Sequence, residues 1–158
     1  MTLNVGDKAP NFTLLADNQQ TISLQTLRGK KVILYFYPKD NTPGCTQEAC
    51  DFRDSSTDFS ALNTVVLGIS KDSPEAHVKF KAKYNLPFPL LSDTNAKVCE
   101  AYGVINPKSL FGKTFLGIQR STFLIDEQGV LRAIWRKVKV KNHSATVLSQ
   151  LKKLETCE

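Results

Sequence analysis

The run Lys31-Val-Ile-Leu-Tyr-Phe-Tyr37, closed by Pro38, limits the fold of this chain more than any other stretch. Apolar side chains at consecutive positions, with no polar alternation, mark a strand covered on both faces. Such a strand lies inside a sheet with helices on either side, which is the α/β arrangement. Pro38 has no N–H to give to a ladder and ends the strand. Asn63-Thr-Val-Val-Leu-Gly-Ile-Ser70 reads as a second central strand.

Shorter signals fill in the order. Phe12–Leu15 and Gln20–Leu24, on either side of Ala16-Asp-Asn-Gln, predict an N-terminal hairpin. Ser73-Pro74-Glu75 supplies an N-cap, a proline at the first helical position and an acid in the first turn, so a helix is expected to about Lys83. Leu90-Leu-Ser reads as a short strand, and Ala96 to Tyr102 as a short helix closed by Gly103. Arg120–Ile125 and Val130–Val138 form a hairpin through Asp126-Glu-Gln-Gly129. Ser144–Leu154 is a closing amphipathic helix with Val147, Leu148, Leu151 and Leu154 on one stripe. A βαβ half followed by a ββα half, with a cysteine segment after the first central strand, is the layout of a thioredoxin-like fold. The expectation is a central mixed β-sheet flanked by helices, with the N-terminal hairpin and residues 92–117 as additions.

The 158 residues suffice for one domain spanning 1–158, large enough to bury about 70% of its unfolded surface. No stretch approaches the roughly 18 unbroken apolar residues of a membrane span, so no membrane association is expected. The first residues lack a basic segment followed by an apolar one, and the cytoplasm is the expected location. In that reducing setting four cysteines are not a disulfide scaffold; a pair that cycles does so for chemistry. The formal charge of +6 is concentrated between Arg132 and Lys153. Within it, Arg136-Lys-Val-Lys-Val-Lys141 alternates charge with valine and reads as an edge strand with lysines toward water. Nucleic-acid binding would call for interleaved aromatic residues, and Trp135 alone is poor support.

The segment that carries chemistry is Pro38-Lys-Asp-Asn-Thr-Pro-Gly-Cys-Thr-Gln-Glu-Ala-Cys50. The Pro-Gly turn signal directly precedes Cys45, and the helix formers Gln47, Glu48 and Ala49 follow it. Cys45 therefore falls in the first turn of a helix, where free N–H groups and the dipole favour a thiolate. Ionisation alone gains an ordinary thiol about thirtyfold in reactive form at neutral pH. A useful thiol enzyme needs further donors: the Thr42 hydroxyl, the backbone near Gly44 and Cys45, and a guanidinium from elsewhere. Read singly these signals are weak, because paired helical cysteines are often just small core residues.

The five-residue step from Cys45 to Cys50 carries its own constraint. On an intact helix their Cα atoms stand about 8.7 Å apart, beyond the roughly 7 Å reach of a disulfide. If the two sulfurs bond, the first turns must unwind.

Pro38, Thr42 and Cys45 together match the Pro-x-x-x-Thr-x-x-Cys motif of peroxiredoxins, and the fit continues through Glu48-Ala-Cys50. With the second cysteine five residues on, the chain resembles the peroxiredoxin Q branch, also called bacterioferritin comigratory protein. The likeness extends over Val5–Phe12, Val66–Ser70, Leu90–Asp93 and Arg120–Asp126. It implies a peroxidatic Cys45, a resolving Cys50 and a redox disulfide between them. It also implies that Thr42 positions the peroxide with the Gly44 and Cys45 backbone, that Pro38 shields the sulfur, and that Arg120 is the missing guanidinium. No metal or organic cofactor is implied. The reductant would be thioredoxin or a glutaredoxin-type donor, and the assembly a monomer or weak homodimer.

Cys99, beside Val98 and Tyr102, reads as a core residue, and Cys157 as an idle terminal thiol. His77 and His143 are far in sequence from the cysteines, which argues against a metal site. Two competing functions differ in observables. A general thiol–disulfide exchanger would carry Cys-x-x-Cys, which is absent, and would reduce insulin-like disulfides. A non-enzymatic basic binding module would show salt-dependent nucleic-acid affinity without peroxide reactivity.

Overall fold

The computed structural model describes residues 3–156. The strands are β1 (Thr13–Ala16), β2 (Thr21–Ser23), β3 (Lys31–Phe36), β4 (Thr64–Ser70), β5 (Leu90–Ser92), β6 (Ile105–Leu110), β7 (Lys113–Ile118), β8 (Ser121–Ile125) and β9 (Leu131–Arg136). The helices are α1 (Pro43–Asp54), α2 (Ser56–Ala61), α3 (Pro74–Tyr84), α4 (Lys97–Ala101) and α5 (His143–Thr156), with a 3-10 turn at Leu24–Leu27.

The apolar run does form the sheet's interior: every residue of β3 is buried. It pairs in parallel with β4 and antiparallel with β8. The seven-stranded mixed sheet has the order β2-β1-β5-β4-β3-β8-β9. Alternate residues of β3 serve opposite faces, as a pleated strand requires. Ile33 and Tyr35 face Cys45, Ala49 and Phe52 of α1, with Phe80 of α3 and Val147 of α5. Val32, Leu34 and Phe36 face Cys99, Tyr102 and Phe123. Gly68, opposite Tyr35 in the ladder, leaves room for that ring; a Cβ there would stand 2.9 Å from the Tyr35 phenol.

The α3 start is as the sequence predicts, with Ser73 Oγ accepting the Ala76 N–H at 3.2 Å and Pro74 in the first turn. The N-terminal hairpin is present, but it is not a separate appendage. β1 pairs antiparallel with β5, so the hairpin extends the central sheet. Within 92–117 the expected short helix is α4, while β6 and the start of β7 belong to an unforeseen two-stranded hairpin. It carries the exposed Phe111 and Leu116.

The basic tract corrects an expectation. The strand expected to reach Val138, with lysines continuing along an edge to Lys141, ends at Arg136. Arg136 pairs with Ser121, the first residue of β8, and past that pair the Val138 N–H donates to the Arg120 carbonyl at 3.0 Å without extending the strand. Lys137 then turns the backbone at φ 52°. Arg136 is also no free surface charge: its guanidinium donates to the Tyr102 and Gly103 carbonyls and lies over the Phe123 ring.

Among the described residues, no helix is long and apolar enough to cross a membrane.

Candidate active site

The site is assembled where β3 stops. After Pro38 the chain turns through Asn41, at φ 61°, and Thr42 takes an extended conformation at the N-cap of α1. Pro43 opens the helix and Cys45 is its third residue. The first bond of the helical ladder runs from the Thr46 N–H to the Thr42 carbonyl at 2.8 Å, so the Gly44 and Cys45 amides precede it. Thr42 does not cap them with its side chain. Its hydroxyl instead donates to the Lys39 carbonyl at 2.9 Å, which leaves the oxygen's lone pairs as acceptors. Pro38 lies half-buried at the same turn.

Sheet register delivers the guanidinium. Phe36 at the end of β3 pairs with Ser121 at the start of β8, which puts Arg120 beside the loop that follows β3. Arg120 Nη2 donates to Cys45 Sγ at 3.4 Å, across 75 residues of sequence. Gly44 makes the approach possible, since a Cβ there would stand 3.1 Å from that same nitrogen. Cys45 as a whole is 1% exposed.

Glu48 is the residue whose part sequence reasoning missed. It reads as a helix former, yet it is buried and accepts from Arg120 Nη1 at 2.7 Å. Its other oxygen, Oε2, has no hydrogen-bond partner. Burial holds the Glu48 carboxyl well above the usual range, with Arg120 pulling the other way. Burial works against the Arg120 charge, but Glu48 and Cys45 outweigh it and keep the guanidinium protonated. A signal was available: Cys45, Ala49 and Phe52 form the buried stripe of α1, and position 48 falls on the same face. A second cation was also missed. Lys108 of β6 is half-buried, and burial followed by the Arg120 charge lowers its ammonium pKa, while Cys45 acts in the opposite sense.

Cys50 lies half-buried in the same continuous helix, and both cysteines are free thiols. The separation expected of an intact helix therefore applies. Cys99 is fully buried, and its N–H donates to Asp93 at 2.7 Å. Burial, reinforced by Asp93, pushes its thiol pKa up, which suits a core residue. Cys157 lies outside the described residues. His143 contacts Thr122 at 2.8 Å, and burial lowers its pKa to about 4. His77 contacts Asp40 and the Leu91 carbonyl. Among the described residues, no group of three or more His, Cys, Asp or Glu side chains is arranged to hold a metal ion.

A buried thiol, a guanidinium in contact with it and the first turn of a helix thus come together, an arrangement able to stabilise negative charge beside the sulfur. Comparison with known proteins points the same way. Residues 5–134 match the AhpC/TSA family. The chain is 60% identical over 151 residues to a putative peroxiredoxin bcp of Coxiella burnetii, covering 96% of this chain and all of that one. It is 55% identical over 152 residues to the peroxiredoxin Bcp of Bacillus subtilis, covering 96% and 97%. Among solved structures, a cysteine-to-serine variant of Xylella fastidiosa PrxQ superposes with a TM-score of 0.93 at 38% identity, covering 98% and 99%. The bacterioferritin comigratory protein of Xanthomonas campestris, in a trapped intermediate and ligand complex studied for alkyl peroxide reduction, gives 0.86 at 41% identity over 90% of each chain.

Proposed function

The chain belongs to the AhpC/TSA family and is a peroxiredoxin, a thiol-dependent peroxidase; on that premise we propose that Cys45 is the peroxidatic sulfur and Cys50 the resolving one. The observation that carries this assignment is the Arg120 guanidinium donating to Cys45 Sγ at the N-terminus of α1. The Cys45 thiolate attacks one peroxide oxygen; an S–O bond forms, the O–O bond breaks, and the departing oxygen takes a proton to leave as water or an alcohol. Arg120 and the Gly44 and Cys45 amides stabilise the charge on that oxygen. The Thr42 hydroxyl, already donating to Lys39, accepts from the peroxide O–H. Pro38 keeps water from the sulfur. Hydrogen peroxide and organic hydroperoxides both supply the required O–O bond.

Once α1 opens at its tip, Cys50 attacks the sulfenic acid, an S–S bond forms and water leaves. A dithiol protein, thioredoxin or a glutaredoxin-type donor, restores both thiols by exchange. One chain holds every group that peroxide reduction and disulfide closure use, so a single domain acting as a monomer or weak homodimer suffices for those steps, and the cytoplasm is the location that fits a thiol donor. No cofactor takes part.

Replacing Arg120 tests the site. In Arg120→Met the second-order rate of Cys45 oxidation, followed by stopped flow on reduced protein, is expected to fall about 10²- to 10³-fold. A rate within twofold of the parent would return Arg120 to the rank of an ordinary strand-end charge.

A further inference from the structure

The loop between β3 and α1 is held by a buried polar cluster that the reaction above does not use. Asp40, in that loop, accepts the Tyr37 hydroxyl on Oδ1 at 2.6 Å and faces His77 Nδ1 with Oδ2 at 2.6 Å. His77, on α3, is fully buried, and its Nε2 lies 3.0 Å from the Leu91 carbonyl of β5. A carbonyl only accepts, so Nε2 carries a proton; a second proton lies in the contact between Nδ1 and Oδ2, since two lone pairs would repel there. Burial first, then nearby Tyr35 and Asp40, push the Tyr37 phenol well above its ordinary pKa, so it stays a donor. The backbone of Asp40 is tied as well: its N–H donates to Asp72 Oδ2 at 2.8 Å, and the same oxygen accepts from Ser70 at 2.7 Å.

The Asp40 N–H and the Lys39 carbonyl are the two ends of one planar peptide group. That carbonyl is the acceptor that orients the Thr42 hydroxyl. Fixing Asp40 from Tyr37, Asp72 and His77 therefore fixes the direction of the Thr42 hydrogen bond. We propose that Asp40 and His77 are positioning residues for peroxide reduction: their buried contact holds the Lys39–Asp40 peptide plane that aims Thr42 at the Cys45 sulfur. The clamp acts before α1, while the opening that lets Cys50 reach Cys45 occurs within it. Its loss should slow the first step and leave the second alone.

The proposal rests on the reading of Cys45 and Thr42 given above, and the experiment separates the two. Reduced protein is mixed with hydrogen peroxide, and sulfenic acid formation and disulfide closure are timed separately by quenched flow and mass spectrometry. Asp40→Ala is expected to slow sulfenic acid formation between about tenfold and a hundredfold, the scale set by a misplaced reacting group, with closure within twofold of the parent. Asp40→Asn should recover at least tenfold of that loss or all of a smaller one. Its amide can accept from Tyr37 and donate to Nδ1 while Nε2 keeps its bond to Leu91, so the network is complete without the shared proton. His77→Gln, which can serve Asp40 or Leu91 but not both, should slow the first step as Asp40→Ala does, and it substitutes if Asp40→Ala does not fold. The clamp is overturned if the folded variants oxidise within threefold of the parent, if both steps slow together, or if Asp40→Asn is as slow as Asp40→Ala. If Arg120→Met in the same assay is also unaffected, the site reading fails; if Arg120→Met alone is slow, only the clamp does.

Discussion

Cys45→Ser is expected to abolish peroxide consumption, with a loss on the order of 10⁴-fold or more, the scale seen when an enzyme's nucleophile is removed. A serine hydroxyl is a far weaker nucleophile at neutral pH than a thiol, and neither Arg120 nor the helix tip can make up the difference. The substitution changes little else. The side chain is nearly isosteric, the site is buried, and the hydroxyl can still accept from Arg120. Thermal unfolding within a few degrees of the parent, beside an inactive protein, is the expected pair of results. Normal consumption by the variant would move the chemistry to another residue.

Cys50→Ser separates the two halves of the cycle. The reduced variant should consume a single equivalent of peroxide and then stop, because the sulfenic acid on Cys45 has lost its resolving thiol. That acid should accumulate and be trapped by dimedone. Turnover with a dithiol reductant should fall by at least about tenfold. Continued cycling at the parent rate would show that Cys50 is not the resolving residue. The geometry explains why the trapped species should persist. Cys45 sits at 1% exposure with Arg120 against its sulfur, which shields it from an outside thiol while α1 is closed.

What the sequence reveals and what it hides follow one physical division. β3 and β4 are legible because burial on both faces leaves an unbroken apolar run. Cys45 at the head of α1 is legible because the turn, Pro43 and the helix formers are all within a few residues of it. The partners of the site are not local. Arg120 reaches Glu48 across 72 residues and Cys45 across 75, and His77 reaches Asp40 across 37; sheet register and helix packing bring them together. Arg120 could be placed through family likeness, while Glu48 read only as a helix former within the matching segment. The β6–β7 hairpin was hidden for another reason. It pairs outside the main sheet, includes Pro107, Gly112 and Gly117, and exposes apolar side chains, so no regular alternation marks it. In the basic tract the alternation was real, since Val138 and Val140 are less exposed than Lys137, Lys139 and Lys141 around them. Alternation alone did not make a strand: the Val138 N–H still donates to the Arg120 carbonyl at 3.0 Å, but the left-handed turn at Lys137 interrupts the ladder before it.

The central claim is that one sulfur, oxidised in a closed helix, is then captured by a second that can reach it only when the helix opens. Both cysteines fall in one tryptic peptide, residues 40–53, which makes the test direct. Reduced protein is given one equivalent of hydrogen peroxide, alkylated without reduction and digested. That peptide is predicted to lose two hydrogens and take up no alkylating agent. A peptide alkylated at both cysteines, or one with Cys45 oxidised beside an alkylated Cys50, would contradict the account.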